Sequence, residues 1–282
     1  MNDTLPTDSE QARLWNGPSG QAWIDLQDAL DRALKPFEDL LVDAIAAQSA
    51  HRVLDIGCGT GATTLAIARQ LAAGSHCVGI DISDPMIAVA RSRAEREGSR
   101  AEFVCADAQT NVFEPAAFDC LVSRFGVMFF DAPVAAFANL RRAAKADAAM
   151  HFIAWRSPAE NPFMTTAERA AAHLLPALPA RQPDGPGQFS FADRDRVRSI
   201  LRDSGWTGID IRPIDVACTM SEGDLSRYVT RLGPVGRALR EVDEPTRKRL
   251  VATLHEAFAP YVHSGVARFT AACWMIAARS PD

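Results

Sequence analysis

A chain of 282 residues with 48% hydrophobic and 23% charged residues has the proportions of an ordinary globular protein, long enough for one large core with an added lobe. No stretch approaches the roughly 20 apolar residues that cross a bilayer, and MNDTLPTDSEQARLW lacks a basic region followed by an apolar run, so neither a membrane span nor a secretory signal is expected. Six scattered cysteines without a CxxC pair suggest no metal and no disulfide framework, and a net charge of −5 disfavours DNA or RNA, so a cytoplasmic setting is expected while a homodimer stays open.

In chain order, two tryptophans, Trp15 and Trp23, flank a glycine-rich turn ahead of a long helix. Strand and helix signals then alternate. Residues 51–56 form a short apolar run that stops at glycines, and 60–73 repeat at helical spacing. Residues 75–81 read as a second strand and 84–97 as a helix with Pro85 in its first turn. Strands follow at 101–105, 118–123 and 150–155, with a helix over 133–144. The alternation predicts a parallel sheet covered on both faces.

After Trp155 the rhythm changes. Residues 156–191 are rich in Pro, Gly and Ala, with one helix near 165–175. A helix over 193–204 ends at Gly205 and precedes a strand over 207–220. Residues 222–259 are helical in pieces, broken at Gly233-Pro234 and Glu244-Pro245, and 265–279 form a last strand suited to antiparallel pairing with 207–220. The expected fold is α/β: a Rossmann-like, seven-stranded, mostly parallel sheet with an antiparallel last strand, helices on both faces, and two insertions forming a helical cap.

The chemistry is carried by Val53-Leu54-Asp55-Ile56-Gly57-Cys58-Gly59-Thr60-Gly61. An apolar strand runs into alternating glycines and then a helix, whose free N–H groups and partial positive charge suit a phosphate or a carboxylate. The dinucleotide fingerprint is GxGxxG, whereas here the spacing is GxGxG behind an acid. Asp55 opposes a pyrophosphate and can accept from an ammonium group; its other reading is a cap of the following turn. Asp81 closes the second strand, where a carboxylate can accept both ribose hydroxyls. Asp107 follows the third strand, placed to accept an adenine amine, with the Ala108 N–H meeting a ring nitrogen. Ile82 and Met86 would pack the adenine faces. S-adenosylmethionine carries the ammonium, the ribose and the adenine that this order requires.

VLDIGCGTG, VGIDIS, FVCADA and FDCLVSRFGVMFF resemble the successive motifs of class I S-adenosylmethionine-dependent methyltransferases, and within them the chain is similar to the ubiquinone/menaquinone-biosynthesis-like small-molecule group. The resemblance covers residues 15–155, and 207–279 in topology only. It implies a methyltransferase that leaves S-adenosylhomocysteine, with cofactor contacts at Asp55, Gly57, Gly59, Asp81, Ile82, Asp107, Ala108 and Ser123. It also implies an N-terminal lid over residues 1–50, a cofactor-binding core over 51–155, and over 156–282 the cap insertions plus the last helix and strand hairpin. Lys145-Ala146-Asp147-Ala148 departs from the family, which usually has a proline-glycine-glycine turn there.

For the acceptor, Arg124 reads either as an orienting group for an anionic or carbonyl-bearing molecule or as a surface ion pair. Trp15 or Trp23 would cover the sulfonium or simply anchor the lid. Trp155 and Phe129 face the expected acceptor pocket, as would Phe130, Phe163 and Phe189 unless they are plain core. No histidine stands out as a base: His151 falls inside a strand, and His173 and His255 fall on cap helices. In-line positioning and exclusion of water can supply most of the catalysis. Two further readings are an NAD-dependent oxidoreductase, which the glycine spacing opposes, and a non-catalytic S-adenosylmethionine-binding protein.

Overall fold

Three helices lead into the sheet in the computed structural model, which describes residues 9–48, 50–178, 181 and 185–281. They are α1 (Glu10–Asn16), α2 (Pro18–Asp25) and α3 (Gln27–Ala46). The Ser9 hydroxyl caps α1, and Pro18 opens α2 where a missing N–H is harmless. The glycine-rich stretch is thus a boundary between helices rather than an open turn. Gly17 separates α1 from α2, and Gly20 lies inside α2, where a Cβ would strike the Trp15 carbonyl oxygen. In α3, Ala33, Phe37, Leu41 and Ile45 recur every four residues and are buried as one stripe. Residues 1–8 of the expected lid, and residues 179–180 and 182–184 of the first expected insertion, lie outside the described residues.

The alternating region gives β1 (Arg52–Ile56), α4 (Ala62–Gln70), β2 (His76–Asp81), α5 (Asp84–Glu97), β3 (Glu102–Cys105), β4 (Phe118–Arg124), α6 (Pro133–Ala143) and β5 (Ala144–Trp155). Then come α7 (Pro162–Ala171), α8 (Arg194–Asp203), β6 (Thr207–Ser221), α9 (Glu222–Arg231), α10 (Gly233–Ala238), α11 (Glu244–Phe258), β7 (Val262–His263) and β8 (Val266–Arg279). The strand order is β3-β2-β1-β4-β5-β8-β6. The first five strands are parallel, while β8 runs antiparallel between β5 and β6. Val53, Cys77, Cys120 and Val122 pack with Ile45 of α3 and Ile67 of α4. Leu54, Leu121 and Phe152 share the main core with Phe137 of α6 and Leu201 of α8.

Two details correct the expected fold. The sheet has eight strands, because His263 pairs with Val266 across Ser264-Gly265, both at positive φ. A two-residue loop with two left-handed positions is the geometry of a tight hairpin, and it creates the two-residue β7. The second correction concerns the fifth strand, expected over 150–155, which takes in residues 145–148 as well. β5 starts at Ala144, and its register with β4 jumps from Phe118↔Ala144 to Cys120↔Ala149. Asp147 absorbs the extra residues at φ 56°, a bulge, and Lys145 Nζ binds Asp119 Oδ1 at 2.6 Å.

The insertions form the cap. Helix α7 packs on α10 and α11, and α10 reaches α2. An aromatic cluster holds it together: Phe163 stacks on Phe269 of β8 at 3.8 Å and meets Phe258 and Tyr261 edge-on. Helix α8 lies outside the cap, packed on α6 and β6.

Candidate active site

A cavity of about 820 Å³ opens where the carboxyl ends of β1, β2 and β4 meet the cap and the N-terminal helices. That is the upper part of the roughly 300–1,000 Å³ range of small-molecule sites, and it is where ligands bind in open parallel sheets.

Its floor is the glycine bend after β1. Gly57, Gly59 and Gly61 all have positive φ. A Cβ on Gly57 would lie 2.6 Å from Gly126 Cα, so this residue lets the β1 and β4 loops touch. A Cβ on Gly59 meets nothing closer than Met86 Sδ at 3.8 Å, so the space beside that backbone is open to the cavity. Asp55 lies beneath the bend, 1% exposed, and accepts from Thr64 Oγ1 at 2.6 Å. Burial pushes its carboxyl up to about 6, against the pull of Thr64 and Arg124.

Asp81 ends β2. Its Oδ2 accepts from Gly59 N at 2.8 Å and its Oδ1 from Ser83 N at 2.9 Å, while burial raises its carboxyl. Each oxygen keeps a second lone pair for a ligand. Asp107 Oδ1 accepts from Gln109 N at 2.9 Å, which fixes the turn after β3. Ile82, Met86, Ala108, Trp15, Trp23, Phe129, Arg124 and Trp155 also line the cavity.

The N-terminal helices are docked onto this wall. Ser83 Oγ donates to the Trp15 carbonyl at 2.7 Å, Asn16 Nδ2 to the Ile82 carbonyl at 3.1 Å, and Asp84 N to Asn16 Oδ1 at 2.9 Å. Trp15 meets Phe129 edge-on at 5.1 Å and Trp23 at 6.3 Å.

Some expected lining residues stand elsewhere. Ser123 is fully buried behind the wall. Its hydroxyl donates to the Ile56 carbonyl at 2.7 Å and accepts from Gly126 N at 3.1 Å and Val127 N at 3.3 Å, so it shapes the loop rather than facing the cavity. Phe163 belongs to the cap stack, while Phe130 and Phe189 do line the cavity. His151 Nε2 lies 2.6 Å from Gln48 Nε2, and His255 Nε2 lies 2.9 Å from Ser226 Oγ; neither they nor His173 line the cavity.

Sequence reasoning missed three contributors. Gly126 makes the close approach to Gly57, signalled only by its place just after β4. Gln11 of α1 and Thr63 of α4 are 7% and 2% exposed, and both line the cavity with Gln11 Oε1 and Thr63 Oγ1 lacking hydrogen-bond partners. Buried polar atoms without partners are rare, so a cavity wall holding two of them is built to meet a polar ligand. Residues with a glycine cradle, three carboxylates and these two orphan atoms fit an adenosyl amino acid.

Residues 53–147 match a methyltransferase domain family. The chain therefore carries a methyltransferase domain over these residues. The methyltransferase is 27% identical over 184 residues to the demethylmenaquinone methyltransferase of Renibacterium salmoninarum, covering 62% of this chain and 75% of that one. It is 21% identical over 179 residues to the ubiquinone/menaquinone biosynthesis C-methyltransferase UbiE of Salmonella paratyphi B, covering 60% and 71%. Its fold resembles that of the YcgJ protein from Bacillus subtilis, with a TM-score of 0.57 at 18% identity over 87% of this chain and 98% of that one. Among the described residues, no helix of the methyltransferase is long and apolar enough to cross a membrane, and no cluster of His, Cys, Asp and Glu could hold a metal ion.

Proposed function

We propose that the methyltransferase binds S-adenosylmethionine across the carboxyl ends of β1 to β4 and methylates a partly apolar or aromatic small molecule beneath the cap. When bound, the cofactor supplies an electrophilic methyl group on a sulfonium, and S-adenosylhomocysteine is the product. The observation that carries the placement is the open space beside Gly59, ringed by Asp55, Asp81 and Asp107 in one cavity.

In this reading Asp81 accepts the ribose hydroxyls. Asp107 and the Ala108 N–H meet the adenine edge, while Ile82 and Met86 hold its faces. Gly57 and Gly59 let the amino-acid end approach the backbone, and Asp55 accepts from its ammonium. Trp23 and Trp15 cover the site from residues 1–50, which act as a lid over the core of residues 51–155. The cap and strand hairpin of residues 156–282 enclose the acceptor against Arg124, Trp155 and Phe129. Holding the acceptor in line and excluding water is the protein's main contribution, worth roughly 7–11 kcal/mol in well-oriented systems. The six free thiols and the net acidic charge support a cytoplasmic enzyme acting without nucleic acid.

Calorimetry with S-adenosylhomocysteine tests the placement. Saturable one-to-one binding by the full chain is expected, together with transfer of a labelled methyl group to a metabolite fraction. Tight binding of NAD with no heat from S-adenosylhomocysteine would return the site to an oxidoreductase.

A further inference from the structure

The cavity lining is poor in free bases and rich in guanidinium groups. Among the described residues that line it there is no histidine, lysine or glutamate. Tyr228, half-buried in this lining, is pushed up to about 12 by desolvation, so its hydroxyl stays protonated at neutral pH. Asp55, Asp81 and Asp107 are engaged around the glycine bend by Thr64, by Gly59 and Ser83, and by Gln109. Asp193 is occupied as the cap of α8, accepting from the N–H groups of Asp195 and Arg196. No group on this wall is poised to take a proton from an acceptor.

Cations stand there instead: Arg124, Arg181, Arg196, Arg231 and Arg237 all line the cavity. Arg181 is held by Glu168, with Nε 2.8 Å from Oε2, and Arg231 by Asp25 at 3.2 Å. Arg124 differs, because its Nη1 is buried with no hydrogen-bond partner. A buried guanidinium N–H without an acceptor is costly, and a bound anion removes that cost. Arg237 is exposed on α10 and makes no hydrogen bond or ion pair among the described residues. Apolar residues line the same cavity. Phe125 stacks on Trp155 at 4.8 Å and 15°, and Met164, Met220 and Phe269 join them.

We propose that the acceptor is already an anion when it enters: a flat, apolar molecule whose carboxylate or acidic enolate oxygen is methylated, held by Arg124 with Arg237 nearer solvent. The proposal rests on the cofactor placement above. The acceptor oxygen forms its bond to the methyl carbon as the carbon–sulfur bond breaks, and the electron pair stays on sulfur. The acceptor's negative charge and the sulfonium's positive charge cancel, and no proton has to leave. That balance accounts for a wall with arginines and no base, since only a weakly acidic hydroxyl or an ammonium acceptor demands proton removal.

The test uses the full chain loaded with S-adenosylhomocysteine and titrated calorimetrically with 1-naphthoate and its neutral counterpart 1-naphthamide. The naphthoate is expected to bind about tenfold or more tightly than the amide, the worth of one charge-assisted contact. Arg124→Gln should abolish that preference, and at pH 8, where Asp55 is ionised with or without its guanidinium neighbour, it should change S-adenosylhomocysteine affinity far less. Arg237→Gln, at an exposed position that keeps the fold, should reduce the preference less. Equal binding of the two probes, or binding of neither, overturns the proposal. Loss of S-adenosylhomocysteine affinity in Arg124→Gln at that pH also overturns it, because Arg124 would then hold the cofactor's own carboxylate. If the wild-type chain fails to bind S-adenosylhomocysteine at all, the cofactor placement falls first and this inference with it.

Discussion

The two walls of the cavity are built on different principles. The wall after β1, β2 and β3 recognises through backbone shape: glycines at positive φ, a helix start, and carboxylates locked by backbone N–H groups, two residues on for Asp81 and Asp107 and across the bend from Gly59 for Asp81. The cap wall recognises through side chains carried on α7, α9 and α10, packed by an aromatic cluster that any apolar set of similar volume could replace. A backbone-built site dictates residue types at fixed spacing. A side-chain-built site dictates only that something cationic or apolar reaches the cavity, and fold alone does not fix which.

The sharpest way to break this contrast is inside the glycine bend. Gly57→Ala should cost most. It forces a left-handed alanine and drives a Cβ to 2.6 Å from Gly126 Cα, backbone against backbone. A stability loss of about 3–5 kcal/mol in urea unfolding is expected, in the range of strain plus overpacking. Gly59→Ala shares the strained φ but has no such collision. It should lose only about 1–2 kcal/mol of stability and yet lose most of its affinity for S-adenosylhomocysteine. If both variants unfold alike, Gly59 is structural and the cradle is misplaced.

Asp81→Ala comes next. It removes the acceptor of two backbone N–H groups and of the proposed ribose contacts. Loss of charge-assisted bonds of about 2–3 kcal/mol corresponds to an affinity for S-adenosylhomocysteine weaker by about 30- to 140-fold in calorimetry. An unchanged affinity would remove Asp81 from the site.

The same contrast governs what the sequence displays. Strands β1 and β4, the second half of β5 and the bend are legible because buried parallel strands must be continuous apolar runs and the bend tolerates little but glycine. Helix α5 is legible because Ser83, Pro85 and Gly98 mark its ends locally. Ser123 misleads, because a serine at a strand end looks the same whether its hydroxyl faces a ligand or ties down the loop at Gly126. The approach of Gly57 to Gly126 depends on two distant segments meeting, which no local pattern encodes. Strand β7 hides because two residues carry no periodicity. The arginines of the cap read as ordinary solvated charge until α9 and α10 fold over the cavity, and only then does their common direction exist.

Gly20→Ala probes the junction of the two walls. A Cβ there collides with the Trp15 carbonyl, whose oxygen also accepts from Ser83. The variant should undock α1 from the start of α5 without touching the sheet. Mispositioning of this kind costs on the order of tens of fold in kcat/KM, with the far-ultraviolet spectrum and the unfolding midpoint of the sheet retained. Full turnover would leave residues 1–50 as a structural prop and deny them a lid function.

The smallest effect is the most specific to the backbone-built wall. Asp55 rises from an ordinary carboxyl value of 3.8 to about 6 because it is buried. The folded, ligand-free protein therefore holds this proton more tightly than the unfolded chain does. That contribution to stability is complete below about pH 4 and is lost as pH rises through about 6. Asp81 is shifted in the same direction for the same cause. An ammonium group beside Asp55 favours the charged carboxylate, so ligand binding must release the proton wherever it is still present. S-adenosylhomocysteine affinity should then fall as pH drops below about 6, approaching about tenfold per pH unit for one coupled proton. The thermal shift given by the ligand should be smaller at pH 5 than at pH 7.5. Asp55→Asn keeps an acceptor for Thr64 but cannot titrate, so it should flatten the profile at a uniformly lower affinity. A wild-type profile already flat across this range would place the ammonium away from Asp55, and would mean that its burial serves the fold of the bend alone.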